Sequence, residues 1–349
     1  MKHPGLIRAL IVDDSRTARL SLRAVLESES GLCVVGEAET GDEALRLVQR
    51  LAPDIVLMDV YLKDQNGLDV AGELMSTHPC PILAVTAANP SDPALVFRGT
   101  DVGVLEIALK PPAPDHPGYD AARRQLVRLV RVLSQVPVVH RFAHRRTHAP
   151  TMTPPPTVKP LPTVPGAVLL GASTGGPQAL CAVLERVPAP HPLPIIVVQH
   201  MTKGFGPAFA TWLQDMTRHK VVLVERPETL AAGVVYLAAD DRHLVFTSSQ
   251  TLAPDDGPVV RYQRPSADLL FESAARLFRG PMLGAVLSGM GDDGAAGLLS
   301  LRRAGATTVA QEPSTCVVDG MPGQAIKLGA AARVLKLEDL AAAMREHAR

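Results

Sequence analysis

The chain has 349 residues, 46% of them hydrophobic, with 35 Lys and Arg against 35 Asp and Glu for a formal net charge of zero. That length suits about two domains of roughly 100–200 residues each. The apolar content excludes wholesale disorder, and the balanced charge leaves no global electrostatic footprint for nucleic acid.

The balance hides three unlike stretches. Residues 1–110 hold 10 basic and 16 acidic side chains, residues 111–165 hold 8 and 2, and residues 166–349 hold 17 of each. This is the pattern of three units with different tasks. The N-terminus has Lys2, His3 and Arg8 but runs straight into Asp13 and Asp14, so no signal peptide is expected. No apolar run approaches the roughly 18 residues that a membrane span needs.

In chain order, the first apolar runs are Ala9–Val12, Val34-Val35, Ile55–Met58, Ile82–Val85 and Val104–Leu109. Such runs, apolar without alternation, suggest strands buried on both faces. Between them lie helical patterns: Ala18, Leu22, Val25 and Leu26 share one face, and Ala44, Leu47, Val48 and Leu51 another. The second opens on Thr40-Gly-Asp-Glu43, a capping-box signature. Strand–helix alternation across five strands predicts a doubly wound parallel sheet.

The polar residues of this block cluster at predicted strand ends. Asp13 and Asp14 follow the first strand, Asp59 the third, Thr86 the fourth and Lys110 the fifth. A parallel α/β sheet keeps its sites at the carboxyl edge. Three carboxylates converging there would repel unless a hard dication joined them, and Mg²⁺ suits oxygen ligands and leaves room for phosphate. For any single Asp, a helix cap or turn role is the simpler reading; five residues at four strand ends weigh against it. Ile11-Val-Asp-Asp-Ser15, Leu57-Met-Asp59, Val85-Thr86-Ala87 and Leu109-Lys-Pro111 resemble a two-component response-regulator receiver domain. The resemblance implies that Asp59 accepts a phosphoryl group from a histidine kinase. It also implies Mg²⁺ held by Asp14, Asp59 and the backbone carbonyl of Tyr61 with Asp13 in support, and phosphoryl binding and switching by Thr86 and Lys110. One departure is Lys63, where receivers usually carry proline.

Residues 120–134 predict one more helix, with Leu126, Leu129, Val130 and Leu133 inward. Residues 135–165 then contain eight prolines and no acidic residue, and read as a stiff, polyproline-like linker. His140, His144 and His148 have helical spacing for a metal, but Arg141, Arg145 and Arg146 interleave with them, so a solvated linker is the better reading. That basic stretch offers only Phe142 for stacking on bases.

The second block resumes at Ala167-Val-Leu-Leu170. Its further predicted strands are Ile195–Val198, Val221–Val224, Val234–Leu237, Leu244–Phe246, Ala285–Leu287 and Thr308–Ala310, with helices such as Ala267–Phe278 between them. Three strand ends carry chemistry. Gly171-Ala-Ser-Thr-Gly-Gly-Pro177 makes a sharp strand-to-helix turn that exposes Ser173, and the helix N-terminus behind it favours developing negative charge. Val197-Val-Gln-His200 ends in a histidine, and Leu287-Ser-Gly-Met-Gly-Asp-Asp-Gly294 in acids. Nucleophile, base and orienting carboxylate at neighbouring strand ends is what acyl transfer requires. The turn lacks both G-x-G-x-x-G and a P-loop lysine, which disfavours nucleotide binding. It matches G-x-S-x-G, but the order Ser173, His200, Asp293 differs from that of α/β-hydrolases.

The motifs Gly171–Pro177, Gln199-His-Met201, Arg264-Pro-Ser-Ala-Asp268, Gly289-Met-Gly-Asp-Asp-Gly294 and Gly320-Met-Pro322, in that order, resemble the effector domain of chemotaxis protein-glutamate methylesterases, which also deamidate glutamine. The resemblance implies a Ser173–His200–Asp293 triad, with Asp293 rather than Asp292 as the acid, and oxyanion contacts from the backbone N–H groups of Thr174 and Met290. Gln263 stands where the family often carries histidine, and no role is assigned to it. Asp240, Asp241 and His243 resemble a metal cluster but read better as a polar turn, and Phe209 and Trp212 as core.

The expected architecture is therefore two doubly wound α/β domains with mainly parallel sheets, a flavodoxin-like receiver over 1–134 and a Rossmann-like methylesterase domain over 166–349, joined by a Pro-rich linker over 135–165. The four dispersed cysteines, without C-x-x-C, fit reduced thiols and a cytoplasmic protein. The resemblance implies a phosphorylation-regulated serine hydrolase acting on glutamyl methyl esters and glutamines of methyl-accepting chemoreceptors. A chemotaxis histidine kinase would be its phosphodonor, and the unphosphorylated receiver would cover the cleft. Mg²⁺ would serve the receiver and no cofactor the hydrolase step; neither nucleic acid nor membrane insertion is expected. The rivals are a binding regulator whose hydrolase domain is dead, and an esterase of the same family serving a non-chemotaxis array.

Overall fold

The structure, a computed structural model, describes residues 6–63, 65–87, 99, 102–136, 166–201 and 203–348. The chain divides into two compact units. The predicted linker falls, from residue 137 on, outside the described residues, as do His140, His144 and His148.

In the first unit the elements run β1 (Ile7–Val12), α1 (Arg16–Glu27), β2 (Leu32–Ala38), α2 (Gly41–Leu51), β3 (Ile55–Asp59), α3 (Gly67–Thr77), β4 (Ile82–Thr86), β5 (Glu106–Leu109) and α4 (Tyr119–Leu133). The strands form a parallel sheet in the order β2-β1-β3-β4-β5. Every residue of β3 and β4 is buried, as uninterrupted apolar runs require when both faces are covered. The predicted face of α4 is buried at Leu126, Leu129, Val130 and Leu133. At α2 the capping box closes one residue early: the Thr40 hydroxyl accepts from Glu43 N at 3.3 Å, but the Glu43 carboxylate accepts from Glu39 N rather than from the cap residue. The chain leaves β1 in one direction and returns to β3 on its other side, so the switch point of the sheet lies between the ends of β1 and β3.

The second unit runs β6 (Ala167–Ala172), α5 (Gly176–Leu184), β7 (Ile195–Gln199), α6 (Gly206–Thr217), β8 (Lys220–Val224), β9 (Glu228–Thr229), β10 (Val234–Ala238), β11 (His243–Ser248), β12 (Thr251–Asp255), α7 (Ala267–Leu277), β13 (Met282–Val286), α8 (Ala295–Arg303), β14 (Thr307–Gln311), α9 (Gly320–Lys327), β15 (Arg333–Leu335) and α10 (Leu337–His347). Seven strands form a parallel sheet ordered β15-β14-β13-β6-β7-β10-β8. The chain starts at β6, builds outward through β7, and then reverses to β13 on the opposite side of β6. The carboxyl end of β6 is therefore the switch point, flanked by those of β7 and β13. Phe209 and Trp212 stack at 5.8 Å between ring centroids and are buried, as expected of core residues.

One predicted strand pairs differently from the rest. Leu244–Phe246 lies in β11, which is antiparallel to β12, itself antiparallel to β9, in a separate three-stranded sheet. The short strands β9, β12 and β15 have no counterpart among the predicted elements. Two or three residues give no readable period, and β12 carries Pro254, which demotes a run from a strand reading.

Candidate functional site

At the switch point of the first sheet, Asp13, Asp14 and Asp59 each bring a carboxylate oxygen within 4.8 Å of the others. Asp13 and Asp59 are buried and Asp14 is exposed. Lys110, just after β5, reaches across with Nζ 2.6 Å from Asp13 and 2.8 Å from Asp59. Its own backbone N–H donates to the Thr86 carbonyl at 2.9 Å, which brings buried Thr86 to the same edge. Burial pushes the Asp59 carboxyl above its ordinary range, with Asp13 adding to the rise, against the pull of Lys110 and of the Tyr61 backbone amide. Burial acts against the charge on Lys110, but its two carboxylate partners more than offset this and raise it. The donor set is all oxygen, as a hard divalent cation prefers. The loop after Asp59 is closed by its own backbone, Gly67 N donating to Val60 O at 2.8 Å and Leu62 N to Gln65 O at 3.2 Å. Lys63 thus stands in a loop closed by backbone hydrogen bonds.

At the switch point of the second sheet, Ser173 follows β6, His200 follows β7 and Asp293 lies beyond β13. Ser173 N donates to Ser288 O at 3.0 Å, and His200 N to Ala172 O at 2.9 Å. Buried Gln199 clamps the first two strand ends, its amide donating to the carbonyls of Ser173 at 2.8 Å and His200 at 2.9 Å. The turn after Ser173 requires glycine at 175, where φ is +76° and a Cβ would lie 2.5 Å from Val317. Gly289 permits an equally close approach, since a Cβ there would lie 2.8 Å from that of Ser173 and 2.2 Å from Met321 Sδ.

His200 Nε2 lies 2.8 Å from Asp293 Oδ2, and its Nδ1 is buried without a hydrogen-bond partner. Asp293 is buried, whereas Asp292 is exposed and paired with Arg261 at 2.5 Å. The N-terminus of α7 cages Asp293. Ser266 Oγ donates to Oδ1 at 2.7 Å, Ala267 N to Oδ2 at 2.6 Å and Asp268 N to Oδ1 at 3.2 Å. Burial alone would raise the Asp293 carboxyl; His200, Ser266 and Ala267 N–H overcome it and hold the carboxyl below its ordinary range. The backbone N–H groups of Thr174 and Met290 donate to no acceptor among the described residues.

Sequence reasoning passed over Ser266 as a site residue. Its position before an apolar-periodic segment is a cap signature, and it does cap α7, accepting from Leu269 N at 3.5 Å. Nothing local reveals that the same hydroxyl reaches Asp293. The Asp240–His243 segment makes no metal cluster among the described residues. Asp240 instead accepts from Gly204 N and Gly206 N, Asp241 pairs with Arg264 and Lys203, and His243 lies between Pro258 O and Ser266 N.

Two family models match the chain: CheB methylesterase over residues 168–344 and response regulator receiver domain over residues 9–116. A protein-glutamate methylesterase/protein-glutamine glutaminase of Hahella chejuensis is 39% identical over 340 residues, 97% of each chain. One of Anaeromyxobacter dehalogenans is 40% identical, over 96% of this chain and 97% of its own. The crystal structure of the Thermotoga maritima CheB methylesterase catalytic domain superposes with a TM-score of 0.50 at 32% identity, covering 53% of this chain and 99% of that domain.

Proposed function

The chain belongs to the CheB methylesterase family and carries a response regulator receiver domain ahead of its methylesterase domain, and from that premise we propose how its residues divide the work. It is a protein-glutamate methylesterase and protein-glutamine glutaminase under response-regulator control. Residues 1–134 form the receiver, 135–165 the linker and 166–349 the catalytic domain. The substrates are glutamyl methyl esters and glutamines of methyl-accepting chemoreceptors, reached from the cytoplasm. No helix among the described residues is long and apolar enough to cross a membrane.

The observation that carries the catalytic reading is the His200–Asp293 bond through Nε2 at 2.8 Å. It fixes the tautomer that keeps a proton on Nε2 and presents Nδ1 as the base. Ser173 Oγ attacks the ester carbonyl carbon and passes its proton to Nδ1. The carbonyl oxygen takes up the negative charge and is met by the N–H groups of Thr174 and Met290. Collapse breaks the bond to the methoxy group, which leaves as methanol with the proton from His200. Water, deprotonated by His200, then releases glutamate and restores Ser173. With glutamine, ammonia leaves instead. Asp293 stays ionised throughout, which its cage of donors favours.

In the receiver, Asp59 accepts a phosphoryl group from the chemotaxis histidine kinase. Asp13, Asp14, Asp59 and the Tyr61 carbonyl would hold Mg²⁺, which when bound neutralises the phosphoryl oxygens. Lys110 and Thr86 take the remaining oxygens, and phosphorylation raises hydrolase activity. The deciding experiment is Ser173→Ala assayed for methanol release from methylated receptor. A folded protein with release down by about three or more powers of ten is expected, and release at the wild-type rate overturns the assignment.

A further inference from the structure

The hairpin turn just before α7 holds a backbone conformation that its residues disfavour. Val260 and Gln263 exchange both backbone hydrogen bonds, at 3.1 and 2.7 Å. They enclose two residues, Arg261 and Tyr262, with φ of +48° and +65°. Positive φ at both central positions is the demand of a type I′ turn, which selects Asn-Gly. Side chains with a Cβ resist it.

Arg261 has contacts that offset the strain. Its Nε lies 3.0 Å from Asp268 and its Nη1 2.5 Å from Asp292. Tyr262 has none. Its side chain is 95% exposed, and it makes no hydrogen bond or ring contact among the described residues. Val259, on the same hairpin, is 54% exposed.

The turn is tied to the catalytic acid on two sides. Asp292 precedes Asp293, and the Asp268 that Arg261 grips donates its N–H to Asp293. Four residues after Tyr262 comes Ser266, also bonded to Asp293. Four residues span at most about 14 Å, so the hairpin lies near the residues that hold Asp293. A large aromatic held in a disfavoured conformation, exposed on a hairpin whose Arg261 contacts the residues around Asp293, is available for a contact that forms only with substrate.

We propose that Tyr262 is a substrate-positioning residue. Its ring packs on the apolar flank of the polypeptide next to the glutamyl side chain, so the enzyme reads its protein substrate beyond the ester itself. This rests on the methylesterase reading above.

The test compares methylated receptor with a free γ-methyl glutamate derivative, too small to reach the ring. In Tyr262→Gly, which suits the turn and removes the ring, the ratio of kcat/KM for receptor to that for the small ester falls about tenfold, mainly through KM. Tyr262→Phe keeps the ratio, and the thermal midpoint of Tyr262→Gly is not lowered. A wild-type ratio in Tyr262→Gly overturns the proposal while leaving the esterase reading intact. Failure of the wild-type protein to release methanol from receptor overturns that reading and the proposal with it.

Discussion

Asp59 and Asp293 are both buried carboxylates at the switch point of a parallel sheet, yet their environments push them in opposite directions. Around Asp59 the neighbours include two further carboxylates and one lysine, and burial wins, so its carboxyl rises. Around Asp293 the neighbours are donors, from His200, Ser266 and the first amides of α7, and burial loses, so its carboxyl falls. The same location thus yields two chemical characters. A crowded, frustrated carboxylate is suited to accept a cation and a phosphoryl group. A fully satisfied one is suited to stay charged and hold an imidazole still. The switch point supplies the place; the count of donors against acids decides the role.

The sharpest way to break this contrast is to exchange charge for an amide at each position. Asp293→Asn keeps the shape of the cage but offers His200 the wrong hydrogen-bonding pattern, and kcat for methanol release should fall by about three to four powers of ten. A loss of less than about tenfold would show that Asp293 is not the orienting acid. Asp59→Asn should leave the unstimulated hydrolase active and abolish its response to a small phosphodonor with Mg²⁺. A variant that is still stimulated would place phosphorylation elsewhere.

How much of this was legible in the sequence follows from the range of the interactions involved. Continuous apolar runs such as Ile55–Met58 and Ile195–Val198 announce parallel strands, and the residues that end them are then at the site by topology alone. That is why Asp59, Lys110, Ser173 and His200 were readable. Asp293 was separable from Asp292 only through a family pattern, because two adjacent acids in a glycine-rich loop carry no local signal of which one faces inward. Ser266 was readable as a cap but not as a donor to Asp293, since that bond joins residues 27 apart in sequence. The antiparallel β11–β12 hairpin was hidden for a different reason: its turn at Ser249 and Gln250 has no glycine or asparagine to announce it.

Ser266 allows a finer test of the donor cage. Ser266→Ala removes one donor from Asp293 and the cap of α7 together. The cap costs about 1 kcal/mol of stability, and the lost bond to a charged acceptor should lower kcat about tenfold. Ser266→Thr, which keeps the hydroxyl, should restore both rate and stability. A wild-type kcat in Ser266→Ala would reduce the residue to a helix cap.

A last effect, on stability rather than rate, concerns Asp268, whose N–H belongs to the cage while its carboxyl is on the losing side of the same contest. Burial pushes its carboxyl up to about 6, with Asp293 adding to the rise against Gly297 N–H and Arg261. Unfolded, the group titrates near its ordinary value of about 3.9. Its native pKa is the higher one, so its contribution is full below about pH 4 and is lost as pH rises through about 6. Asp268→Asn cannot ionise and can still accept from Gly297 N. Relative to wild type it should therefore gain stability across that window, by on the order of 2–3 kcal/mol at most. Buried His191 and His219 act in the opposite sense: burial lowers both, so stability falls as pH drops below about 6.5. Those two histidines are common to both proteins and cancel in the difference between their denaturation curves. A difference that stays flat between pH 4 and 7 would show that Asp268 is already charged in the folded state, and that Gly297 N–H and Arg261 satisfy its carboxylate as fully as the donors of α7 satisfy Asp293.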